Sequence, residues 1–124
     1  MSETLRVVIL ADDLIWADRL AAAVRTAGAE PVSVRTLDRF RAAVAGTTFV
    51  IVDLTARAYD GVDVIREANR GGARCLAVGQ HDDIDLRKRA LAAGAERVYA
   101  YRLLFQDGPG TLSRWMGRVE GVAP

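Results

Sequence analysis

Two spacings of apolar residues alternate along the chain. Residues 5–11, 31–34, 49–52, 73–78 and 98–100 are short apolar runs, most of them rich in β-branched side chains. Runs of this length suit strands buried on both faces, as in a parallel sheet covered by helices. Between them apolar residues recur at three and four. Leu14, Ala17, Leu20, Ala21, Val24 and Ala27 form one helical face, and Gly28 stops it. Thr36 is placed to cap a helix over 37–45, and Val62, Ile65 and Ala68 make the inward face of a third, over 62–68. Asp82 or Asp83 caps a fourth carrying Ile84, Leu86, Ala90 and Leu91, with Gly94 at its end. The last spans 109–119, Pro109 in its first turn and Leu112, Trp115, Met116 and Val119 as its stripe. Residues 54–61 read as an irregular loop.

Strand and helix alternate in one pass, which implies a parallel sheet, helices on both faces and right-handed crossovers. With five strands the expected fold is α/β, a single flavodoxin-like three-layer sandwich of strand order 2-1-3-4-5. Its switch point lies between the first and third strands. There the acidic pair Asp12-Asp13 closes the first strand and Asp53 closes the third, so the three carboxylates are expected in one crevice.

Composition narrows the partners. The chain has 124 residues, enough for one core, and a net charge of +1, which argues neither for nucleic acid nor for an anionic membrane. All basic residues but Lys88 are arginine. Cys75 is the only cysteine, so an intrachain disulfide and a tetrathiolate site are excluded; inside an apolar run it reads as a small buried hydrophobe. No stretch approaches the roughly twenty apolar residues of a membrane span, and the N-terminus lacks a secretory pattern. A soluble, cytoplasmic domain is expected.

Three neighbouring carboxylates repel one another, and a hard divalent cation relieves that repulsion. Asp can also attack phosphorus, with Mg²⁺ neutralising the phosphoryl oxygens. The alternative is that each Asp is an N-cap or turn residue.

These residues resemble a response-regulator receiver domain over nearly the whole length, residues 1–120, with 121–124 a tail or the start of a linker. Asp12-Asp13 is similar to that family's metal-binding pair, and the apolar run ending in Asp53 to its phosphoacceptor strand. Asp60-Gly61 matches the Asp-Gly seven and eight residues later. His81-Asp82-Asp83 and Ala92-Ala93-Gly94-Ala95 match the segments around the fourth helix. The resemblance implies a signalling module and not an enzyme. It further implies that Asp53 accepts a phosphoryl group from a histidine kinase, and that Mg²⁺ is held by Asp13, Asp53 and the Thr55 backbone carbonyl, with Asp12 acting through water.

The pattern breaks on the far side of the crevice. Gly79 stands where the family has Thr or Ser, and Gln80 follows it. Without an insertion, Tyr101 stands at the family's Lys position and Val98 at its switch aromatic. With one extra residue in the preceding turn, Arg102 and Tyr99 take those places. A phenol donates one hydrogen bond but brings no charge, and an Arg lacks the compact ammonium geometry. Ala56-Arg57 replaces the common Met-Pro, and Arg57 is either a solvated loop residue or a partner for a carboxylate. Two lost charge-assisted contacts would remove on the order of 1.5–3 kcal/mol each from the coupling.

Three functions follow. The first is an atypical receiver acting by protein–protein contact, its phosphorylation-dependent switching weakened or absent. The second is a working phosphoacceptor on Asp53 with Mg²⁺. The third is a phosphatase or ligand-binding domain, disfavoured because His81 is the only histidine and the first loop is acidic where a bound phosphate needs N–H donors. The expected partner is a histidine kinase or another signalling protein, meeting a face that includes Arg87, Lys88, Tyr99, Tyr101 and Arg102. Trp115 and Met116 are assigned to the core, with a homodimer contact as the alternative.

Overall fold

A computed structural model describes residues 5–80 and 82–117. His81, Val119 and the tail at 121–124 lie outside the described residues. Five strands and five helices alternate: β1 Arg6–Leu10, α1 Leu14–Thr26, β2 Glu30–Val34, α2 Leu37–Val44, β3 Phe49–Asp53, α3 Gly61–Arg70, β4 Arg74–Gly79, α4 Ile84–Ala93, β5 Ala95–Ala100 and α5 Tyr101–Met116. All strand pairs are parallel, in the order β2-β1-β3-β4-β5. The expected flavodoxin-like sandwich is therefore the observed fold.

The pleat sorts the strand residues into two cores. Val8, Leu10, Val50 and Val52 pack with Phe40, Val62, Ile65, Ala90 and Ala93 beneath α2, α3 and α4. Val7, Ile9, Phe49 and Ile51 pack with Leu20, Val24, Leu112 and Trp115 beneath α1 and α5. Trp115 and Met116 are thus core residues, and Cys75 is buried with its thiol pushed up to about 11, chiefly by burial. Each fully buried aliphatic side chain contributes roughly 1.5–3 kcal/mol, so β1 and β3 anchor the domain.

The helix starts follow the sequence signals. Asp13 caps α1, Thr36 caps α2, Asp60 caps α3 and Asp83 caps α4, each side chain accepting a backbone N–H of the first turn. Gly94 ends α4 at φ 122°, and a Cβ there would lie 2.5 Å from the Asn69 side chain, so glycine is needed twice over.

Three expectations are corrected. Leu14, Ile84 and Leu91 are exposed: Leu14 and Ile84 are the first residues of α1 and α4, and Leu91 lies on the outward side of α4, opposite the buried Ala90 and Ala93. β5 is longer than expected, and no loop separates it from α5. α5 starts at Tyr101 as two helical segments joined across a kink at Asp107 (φ −154°, ψ 55°). Pro109 falls in the first turn of the second segment, where its missing N–H costs little. Among the described residues no helix is long and apolar enough to cross a membrane.

Candidate functional site

The carboxyl ends of β1, β3, β4 and β5 open on a cleft of about 610 Å³ lined by Asp12, Asp13, Trp16, Thr55, Arg57, Gln80, Tyr101 and Arg102. Ligands in open α/β sheets bind at this edge, beside the switch point. Asp53 ends β3 beneath the cleft and is only 1 % exposed.

The donors around Asp53 converge on one of its oxygens. Its Oδ1 accepts from the Thr55 backbone N–H at 2.9 Å, from the Thr55 hydroxyl at 2.8 Å and from the Tyr101 hydroxyl. The Thr55 and Tyr101 hydroxyl oxygens lie 2.9 Å apart, so the three side chains form one knot. Oδ2 is buried with no hydrogen-bond partner among the described residues. Burial, and then the hydrogen bond to Asp53, push the Tyr101 phenol far above its ordinary range, so it stays a neutral donor. On its outer side the Tyr101 ring meets the Trp16 ring, centroids 3.7 Å apart and planes at 32°.

Both members of the acidic pair accept from the backbone. Asp13 Oδ1 accepts from the Ile15 and Trp16 backbone N–H groups at 2.9 and 3.1 Å, fixing the turn that carries Trp16. Asp12 Oδ2 accepts from the Arg57 backbone N–H at 3.2 Å; that contact uses the main chain of Arg57, not its guanidinium. Thr55, whose carbonyl was expected to face a metal, gives its N–H and hydroxyl to Asp53. Among the described residues no three acidic, histidine or cysteine groups gather so as to hold a metal ion. The arrangement therefore does not fit a divalent cation touching Asp53: Tyr101 and Thr55 take one carboxylate oxygen, and the other is enclosed.

On the opposite edge, Gly79 is buried at the end of β4, where a Cβ would meet Leu54 side-chain atoms at 3.5 Å, an ordinary contact. Gln80 and Arg102 are exposed on the cleft rim. Of the two candidates for the family's Lys position, Tyr101 is the residue whose polar atom reaches Asp53. Val98 is buried beneath α4, and Tyr99 is half-buried on the other face of β5. Tyr101 was expected on the partner face and is instead turned inward, held by Asp53 and Trp16. Arg87 and Lys88 are exposed on α4. Beside them a second cleft, about 570 Å³, is lined by residues including Arg87, Leu91, Arg97, Tyr99 and Leu103.

Sequence reasoning missed Tyr59. Its hydroxyl lies 3.0 Å from both the Leu10 and the Asp53 carbonyl oxygens, tying the ends of β1 and β3 together at the switch point. Burial first, then the nearby Asp53 and Asp12, raise its phenol well above the ordinary range. A Tyr six residues after a strand-ending Asp was the available signal, but only the fold brings Leu10 beneath it.

No protein-family profile and no curated protein matches the chain. Solved structures do. The signal receiver domain of a DNA-binding response regulator from Colwellia psychrerythraea 34H is 18 % identical with a TM-score of 0.77, covering 91 % of this chain and 98 % of that one. A CheY-like response-regulator receiver domain from Methanospirillum hungatei JF-1 is 18 % identical with a TM-score of 0.72, covering 94 % and 100 %. A Burkholderia pseudomallei response regulator with a phosphorylated aspartic acid, calcium ion and citrate is 18 % identical with a TM-score of 0.69, covering 90 % of this chain and 72 % of that one. The chain has the fold of the response-regulator receiver domains.

Proposed function

We propose that this chain is an atypical receiver domain of two-component signalling in the cytoplasm, working through protein–protein contact with phosphorylation-dependent switching weakened or absent. The observation that carries this reading is the Tyr101 hydroxyl on Asp53 Oδ1, where a neutral phenol fills the side of the acid from which a cation would pair with a phosphoryl group. Gly79 adds to it, since it has no hydroxyl to pull the loop after β4 inward. A shift between two states needs contacts that differ between them, and both of these differential contacts are missing.

The partner is a histidine kinase or another signalling protein, or a second copy of the chain, meeting α4, β5 and α5 through Arg87, Lys88, Tyr99 and Arg102. The exposed Leu91 and Leu103 of the second cleft give that face apolar contact area. The reading is tested by NMR of the labelled chain with beryllofluoride and Mg²⁺. Amides of α4 and β5 are expected to stay in place. Large, saturable shifts there would favour the working phosphoacceptor, for which the position of Asp53 at the end of β3 is the supporting feature.

A further inference from the structure

The disagreement between an acidic crevice and a sealed Asp53 has a specific cause in this chain. We infer that Tyr101 is a latch that keeps divalent cations off Asp53, held shut by Trp16 and by its place in the first turn of α5. The inference deepens the receiver reading, from which it takes only the choice of cation.

Four observations carry it. The Tyr101 hydroxyl and the Thr55 hydroxyl and N–H all converge on Asp53 Oδ1, while Oδ2 lies buried without a hydrogen-bond partner among the described residues. Asp12 and Asp13 line the open cleft just outside, so negative charge stands at the mouth of a site whose floor is closed. Trp16 covers the outer face of the latch, and Asp13 fixes Trp16 by capping its turn. Finally, Tyr101 is the first residue of α5, joined to β5 with no loop, and α5 leaves helical geometry at Asp107. The phenol can therefore leave by rotating its side chain off Trp16 or by a shift of the backbone of 101–106, and for the second route the kink at Asp107 is where the motion can end without disturbing Leu112 and Trp115 in the core. Leu104, in the same segment, is buried in the core beneath α1 and α5 and helps hold the latch in place.

The test is a Mg²⁺ titration, with no phosphodonor, of four labelled proteins followed by NMR: the full chain, Tyr101→Ala, Tyr101→Phe, and Tyr101→Ala combined with Asp53→Asn. Removing the latch is expected to produce saturable shifts at the amides of Asp12, Asp13 and Thr55 at a Mg²⁺ concentration at least tenfold lower than the unmodified chain requires. The Trp16 indole N–H and the amides of 102–106 are expected to move with them. Tyr101→Phe keeps the ring against Trp16 but not the hydrogen bond, and is expected to fall between; it also serves if the alanine variant does not fold. Adding Asp53→Asn is expected to abolish the gain. Equal Mg²⁺ response with and without the Tyr101 hydroxyl would overturn the latch, as would a gain that survives Asp53→Asn, since the ion would then sit on Asp12 and Asp13 alone. Because beryllofluoride tests switching in the unmodified chain and Mg²⁺ alone tests the latch, either idea can fail without the other.

Discussion

The two edges of the cleft are built from the same kind of element, a buried parallel strand, yet they end in opposite chemistry. β1 and β3 run into Asp12, Asp13 and Asp53, and each of these acids accepts a backbone N–H: Asp13 and Asp53 from the residue two positions on, Asp12 from Arg57 in the loop after β3. β4 and β5 run into Gly79 and Tyr101, one with nothing to offer and one with a long-range hydrogen bond back across the cleft. On the acidic edge Asp13 and Asp53 serve their own turns. From the other edge a single phenol reaches Asp53. The contrast teaches that what an acid can do depends on what faces it as well as on the acid.

The largest effect should come from rebuilding the second edge to match the first. Gly79→Thr with Tyr101→Lys returns a hydroxyl and a cation, and a Cβ at position 79 meets Leu54 only at ordinary contact distance. This double variant is expected to show saturable beryllofluoride- and Mg²⁺-dependent shifts across α4 and β5 where the unmodified chain shows none. An unresponsive but folded double variant would mean that the difference between the edges lies elsewhere.

A smaller effect sharpens the acidic edge. Tyr59→Phe removes the hydroxyl between the Leu10 and Asp53 carbonyls and leaves buried acceptors without that donor. A loss of about 1–3 kcal/mol in urea unfolding is expected. If stability is unchanged, β1 and β3 are held together by strand pairing and packing alone.

Much of this was legible in the sequence, and the limits are physical. The buried runs, the caps Thr36 and Asp83, and the meeting of β1 and β3 at a switch point all depend on short-range patterns or on topology rules. The exposure of Leu14, Ile84 and Leu91 was not legible, because periodicity reports which side of a helix a residue takes but not whether sheet lies beneath that turn. Tyr59 escaped for a related reason, and Tyr101, set at the Lys position by the resemblance, was also put on the partner face. Their hydroxyls act across 49 and 48 residues, and nothing in the local sequence shows which way such a side chain turns. The start of α5 at Tyr101 was hidden by Pro109, which does begin a helical segment, but the second of two.

The central claim is that Asp53 is present but occupied. Intact-mass spectrometry after incubation with acetyl phosphate and Mg²⁺ tests it most directly, with Asp53→Asn as the control. The account predicts no adduct on the unmodified chain and a phosphoryl adduct on Tyr101→Ala that Asp53→Asn removes. A stoichiometric adduct on the unmodified chain, lost in Asp53→Asn, would contradict it.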